Sequence, residues 1–147
     1  MVIVAAVDHS DQAQAVIQEA DTLAQQFAEP IHVLHVMKRS EAIQAEEDSL
    51  THTDEAVSVD DLRDRAADVA AELAEANSPG AETVTVGRIG DPAAEIVSYA
   101  GERDARYIVV SPQQRSQTGK ILFGSVAQSV LLDADCPVVS LRARTQA

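Results

Sequence analysis

Lysine is nearly missing from this 147-residue chain: Lys38 and Lys120 stand beside nine arginines, against 24 acidic residues, for a net charge of −13. A phosphate backbone or an anionic bilayer needs a basic patch, so nucleic acid and membrane surfaces are excluded as expected partners. Tryptophan is absent, and Phe27, Tyr99, Tyr107 and Phe123 are the whole aromatic complement. The core is therefore expected to be aliphatic and small-grained. Cys136 is alone, which rules out an internal disulfide framework. No apolar run approaches the roughly 18 residues of a membrane span. The opening MVIVAAVD turns acidic too soon for a signal-peptide core, so the expectation is a soluble, cytoplasmic protein. An acidic, lysine-poor surface also suits a halophilic source, where counterions screen self-repulsion.

What is present is order. No internal repeat and no Pro/Gly/Ser linker divides the chain, so residues 1–147 read as one domain. Five runs rich in β-branched residues stand out: Val2 to Val7, Ile31 to Val36, Glu82 to Val86, Arg106 to Ser111, and Pro137 to Leu141. Most are apolar almost throughout, as in parallel strands covered by helices on both faces. Between them lie helical periods: Ala13, Val16, Ala20, Leu23, Phe27; Leu62, Ala66, Val69, Leu73; Ala93, Ile96, Val97, Ala100; and Val126, Val130, Leu131. Ser10, Ser58-x-x-Asp61, Asp91-Pro92 and Ser125 are the helix-start signals. The acidic stretch Lys38 to Ala56 has no clear period and is expected as a long loop or a loosely formed helix.

The alternation predicts an α/β fold: a three-layer α/β/α sandwich on a five-stranded parallel sheet of order 3-2-1-4-5, with two helices on each face. Ligands in such sheets sit at the carboxyl ends of the strands, where Asp8, Val36 and Ser111 lie. The stretch from Ser111 through the polar loop Pro112 to Thr118 to Gly124-Ser125 places free backbone N–H groups where an anion can sit. His32 and His35, three apart on a strand, point to opposite faces and cannot pair on a metal, and His9 and His52 have no partners at ligand spacing. Cys136 before Pro137 is expected as a buried small hydrophobe with nothing basic nearby to activate it. A Walker A loop fails because Gly119-Lys120 precedes Ile121. A response-regulator receiver fails because the third strand supplies no aspartate to phosphorylate, and a flavodoxin-like carrier because no aromatics stand near the loops to hold a flavin.

In sequence order, Val7-Asp8-His9-Ser10, His32 to Val36, Gly90-Asp91-Pro92, Gly124 to Leu131 and Cys136 to Val139 resemble the universal stress protein family over nearly the whole chain. The resemblance implies the adenine nucleotide alpha hydrolase-like fold and a stress-response regulator that works by association and not by turnover. It also implies ATP or another adenine nucleotide as a cofactor, with Mg2+ only in company of the nucleotide. The site residues it implies are Val7, Asp8, Val36, Val110, Ser111, Gly124, Ser125 and Val126. Asp8 would accept from a ribose hydroxyl, Val36 would meet the adenine edge through its backbone, and Gly124 and Ser125 would receive phosphate. Arg115 and Lys120 are the loop's cations. Nucleotide-binding members carry a glycine, two residues, a second glycine, nine residues, then Gly-Ser; here Ser111 and Gln114 hold the two glycine positions. The resemblance further implies a homodimer formed through the C-terminal strand. Two alternatives stay open: a dimeric interaction protein that binds no nucleotide, and a slow ATP-hydrolysing enzyme.

Overall fold

The structure, a computed structural model, describes residues 1–8, 12–53, 57–111, 113–115 and 121–141, with only the backbone described at 52–53, 113–115 and 121–123. Strand β1 (Val2–Ala6) lies at the centre of a sheet with β2 (Ile31–Met37) on one side and β4 (Ala105–Val110) on the other. Outside them lie β3 (Thr83–Ile89) and β7 (Val138–Ser140), and every ladder is parallel. The sheet order β3-β2-β1-β4-β7 is the expected 3-2-1-4-5, with β7 as the fifth strand.

Alternation along each strand divides the core in two. Ile3, Ala5, Val33 and Val109 meet Val16, Ile17 and Ala20 of α1 (Ala13–Phe27) and Ala70 and Ala74 of α3 (Val59–Asn77). On the other face Val4, Leu34, Ile108 and Val110 meet Ile96 and Tyr99 of α4 (Pro92–Glu102) and Ala127 and Val130 of α5 (Ser125–Asp133). Two helices therefore cover each face, as expected. The acidic stretch forms an additional helix, α2 (Arg39–Thr53). Its Glu, Gln and Ala residues favour helix without supplying an apolar stripe, so among its described side chains only Ala42 is buried, against Met37, Val57, Leu62 and Ala66.

Several local expectations need correction. β3 runs on to Ile89, beyond the Val86 end read from the sequence: its ladder with β2 continues to Met37, and Gly87, which interrupts the apolar run, lies where α3 presses on the strand. A Cβ on Gly87 would lie 2.2 Å from the Arg63 carbonyl oxygen and 2.3 Å from the Ala67 nitrogen. The stretch after Ser111 is not all loop, since β5 (Gln113–Arg115) and β6 (Ile121–Phe123) pair antiparallel. The buried face of α5 is Ala127 and Val130, while Val126 and Leu131 are exposed. Phe27, expected inside, lies at the surface under the Arg106 guanidinium, 4.5 Å from the ring centre.

Two helix starts follow the sequence signals and two do not; α1 has Gln12 at its cap position, without a side-chain cap. Ser58 and Asp61 form a reciprocal capping box on α3, and Asp91 accepts from the Ala94 N–H ahead of Pro92 in α4. Ser125 does not cap α5: it is the first helical residue, and Gly124 occupies the cap position without a side chain to fill it. Ser10 lies outside the described residues.

Candidate functional site

α1 follows β1 onto one face of the sheet, whereas α5 follows β4 onto the other, so the carboxyl ends of these neighbouring strands part around a crevice. A cavity of about 510 Å³ occupies it. That volume is within the usual range for small-molecule sites. All eight residues proposed from the sequence line this cavity: Val7 and Asp8 beyond β1, Val36 on β2, Val110 and Ser111 at the end of β4, and Gly124, Ser125 and Val126 at the start of α5. The crossover topology brings together residues separated by more than a hundred positions.

The walls differ in chemistry. Val36, Ile96, Val110 and Ala127 form an apolar side continuous with the α4–α5 core. Opposite in character is the start of α5. Its first intrahelical bond runs from the Gln128 N–H to the Gly124 carbonyl at 3.0 Å, so the amides before Gln128 have no acceptor inside the helix. Gly124 has φ −70° and ψ 148°, ordinary extended backbone. Its contribution is thus the missing side chain and not an unusual conformation.

Four polar lining residues escaped the sequence reading: Gln12, His35, Lys38 and Glu41. His35 is 5 % exposed, the one buried polar side chain among the described residues. Its Nδ1 lies 3.0 Å from the Val7 carbonyl oxygen. A carbonyl only accepts, so Nδ1 carries the proton and ties the end of β1 to β2 beside Asp8. His32 points to the other face, as its spacing predicted, where its Nδ1 and the Tyr99 hydroxyl share a hydrogen bond. Burial first, then the charge of Arg103, lowers the His32 pKa. Lys38 sits one residue beyond β2 and Glu41 in the first turn of α2. The position of Lys38 at a strand's carboxyl end beside the switch point was the available signal. The loop cation Lys120 and the side chains of Gln114 and Arg115 lie outside the described residues. Cys136 is half-buried, and burial raises its thiol pKa, which keeps it protonated and unreactive at neutral pH.

The Universal stress protein family model matches residues 1–142. The chain belongs to the universal stress protein family. Among curated relatives, universal stress protein YxiE of Bacillus subtilis is 25% identical over 142 residues, covering 93% of this chain and 95% of that protein. A solved universal stress protein from Archaeoglobus fulgidus is 30% identical with a TM-score of 0.65, covering 96% of this chain and 97% of its own. A second, from the same organism and solved in complex with dAMP, is 26% identical with a TM-score of 0.59 and covers 96% of both chains. The adenine nucleotide alpha hydrolase-like order of strands is thus that of a universal stress protein, and its switch-point crevice is where a ligand site is to be sought.

Proposed function

We propose that this universal stress protein is a regulatory protein of one domain over residues 1–147, working in the cytoplasm, that holds an adenine nucleotide in the cavity between β1 and β4. The observation that carries this reading is the juxtaposition of the apolar wall, Asp8 and the uncapped start of α5 around one cavity of about 510 Å³. A purine is served by the wall of Val36, Val110 and Ile96, a ribose hydroxyl by the Asp8 carboxylate, and a phosphate by the α5 amides and the Ser125 hydroxyl. The dAMP complex of the Archaeoglobus relative supports that ligand class. Mg2+ enters only with the nucleotide, and no turnover is assigned.

The test is direct. Protein purified from cells is denatured, and released adenine nucleotide is sought by absorbance and chromatography; added nucleotide should also raise the melting temperature. Gly124→Val fits the extended backbone at that position yet fills the space beside the amides, so it should abolish binding while the fold persists. Normal binding by Gly124→Val would misplace the pocket.

A second reading is favoured by Ser111, which brings a side chain into the cavity lining where nucleotide-binding members have glycine. Here the protein binds no nucleotide and works as a dimer. β7 is an edge strand of intermediate burial, and next to it α5 exposes Leu131 and Leu132, the latter 76 % exposed. A second copy pairing along β7 would cover both, and this homodimer is compatible with either reading.

A further inference from the structure

α4 carries part of the cavity wall through Pro92 and Ile96, and one turn further along the same face it buries Tyr99, which is 1 % exposed. The Tyr99 hydroxyl and His32 Nδ1 on β2 share a hydrogen bond, with their rings 5.8 Å apart. Beside His32 in the sheet stand Val4 of β1 and Val84 of β3, neither of which titrates. The charged groups that act on it are Arg103, which follows α4, and Glu82, which precedes β3. Arg88 of β3 completes the cluster. Its guanidinium lies 5.1 Å from the centre of the Tyr99 ring and that of Arg103 5.5 Å, while Glu102 and Glu95 pair with Arg88 at 2.7 and 4.0 Å. Glu82 favours a charged imidazole, but burial and then Arg103 outweigh it and hold His32 below its ordinary 6.5, so the ring is neutral at neutral pH. Arg103 also turns a donor toward the phenol oxygen. A guanidinium only donates, so a lone pair of that oxygen receives it and the phenol O–H donates to His32 Nδ1.

We propose that the His32–Tyr99 pair is a proton-operated latch on α4: a proton taken up from solvent at His32 Nδ1 releases Tyr99 and loosens the Pro92 and Ile96 wall, so that the wall is firm at neutral pH and slack in acid. The added proton converts Nδ1 from acceptor to donor. The phenol O–H then loses its acceptor inside the core, and a third cation joins Arg88 and Arg103 around one ring. Movement of Tyr99 away from the sheet relieves both. Ile96 belongs to the same buried cluster and lies three residues away on the same helix face, so it moves with Tyr99. His32 is not among the residues that line the cavity, and it acts on the site as a positioning residue. The effect on an adenine ligand rests on the nucleotide-binding reading, whereas the release of α4 does not.

The experiment follows amide hydrogen exchange of the full chain at about pH 7.5 and about pH 5, corrected for the intrinsic effect of pH, in the parent and in His32→Gln and Tyr99→Phe. In the parent, protection of α4 should fall about ten-fold more than that of α1 on acidification, the scale of one buried hydrogen bond left unmade. Glutamine accepts from the phenol without titrating, so His32→Gln should abolish the difference. Tyr99→Phe has no hydroxyl to release, and its α4 should show at neutral pH the protection that the parent shows in acid. Nitrogen NMR of the parent should find His32 Nδ1 unprotonated at neutral pH. A proton already on Nδ1 would overturn the latch, because acid would then charge Nε2 and leave the Tyr99 bond intact. Equal loss of protection in α4 and α1, or a loss that His32→Gln retains, would overturn it as well. AMP affinity, read by titration calorimetry, should fall about five-fold more on acidification in the parent than in His32→Gln, a comparison in which titration of the phosphate and of His35 cancels. An equal fall in both proteins while α4 loosens in the parent would overturn the link to the cavity. If AMP and ATP both fail to bind at either pH, the nucleotide reading and that link fall together, and the exchange measurement still decides the latch.

Discussion

Replacing Gly87 with alanine tests the contact that fixes α3 on the sheet. The added Cβ would stand 2.2 Å from the Arg63 oxygen, 2.3 Å from the Ala67 nitrogen and 2.8 Å from the Ala66 Cβ. Two of the three are backbone atoms, so no side-chain rotation relieves them. Restoring carbon contacts to about 3.5 Å requires α3 to lift by about 1 Å, opening its contact with Val86-side residues of the edge strand. Overpacking of this kind costs roughly 1–3 kcal/mol, and a clash against rigid helix backbone belongs at about 3. For a domain of this size about 3 kcal/mol corresponds to a fall in melting temperature of roughly 6–12 °C. Gly101→Ala is the matched control. It lies in α4 with nothing within 4 Å of its added Cβ, so the same methyl should stabilise by about 0.5–1 kcal/mol through helix propensity. Urea unfolding followed by circular dichroism reads both. Equal stability of the Gly87→Ala protein and the parent would refute the close approach and, with it, the reason given for glycine inside β3.

Other outcomes follow from the same geometry. Asp21 on α1 accepts from the N–H groups of Gly80 and Ala81 at 3.1 and 2.9 Å, pinning the turn that leads into β3. Burial alone would raise its pKa, but those two amides and the Gln25 side chain outweigh it and hold the pKa below the ordinary 3.8. A depressed carboxyl stabilises the fold above the unfolded pKa and loses that contribution as pH falls through the folded one. Asp21→Asn should therefore flatten the stability curve below about pH 4 and cost about 1–2 kcal/mol at pH 7, checked by urea melts across pH. His32, also depressed, should weaken the fold as pH drops below its ordinary 6.5, because protonation is opposed in the folded state. His32→Gln should remove that slope between pH 7.5 and 5; an unchanged slope would show that another group sets it. Leu132→Glu should lower any self-association seen by sedimentation while leaving monomer stability within about 0.5 kcal/mol, since the residue is 76 % exposed.

The sheet was legible because its central strands are buried on both faces and read as nearly continuous apolar runs, unbroken from Ile3 to Ala5 and interrupted in β2 only by His32 and His35. β3 was harder. As an edge strand it carries Gly87 for the helix on one face and, on the other, Arg88, whose guanidinium reaches Glu102 at 2.7 Å and stacks 5.1 Å from the Tyr99 ring. Both residues interrupt the apolar pattern for reasons that exist only once α3 and α4 are in place. α5 misled for a related reason: when the buried residue is Ala127, larger apolar neighbours such as Val126 and Leu131 dominate any periodicity and shift the predicted face. The helix α2 had no stripe to find, because among its described side chains the one that is buried is Ala42.

Placement of the candidate site residues divides along the same line. Asp8, Ser111 and Gly124 were legible because strand ends and helix starts are sequence-local, and the switch point then assembles them without further information. His35 and Glu41 were not, since each gains its place from a neighbour in space, the β1–β2 ladder for His35 and the fold of an unpatterned acidic stretch for Glu41, whereas Lys38, one residue beyond β2, carried the strand-end signal and was missed. That distinction bears on chemistry. The local residues line the β1–β4 side of the cavity, whereas Lys38 just before α2 and Glu41 in its first turn add one charge of each sign to the lining.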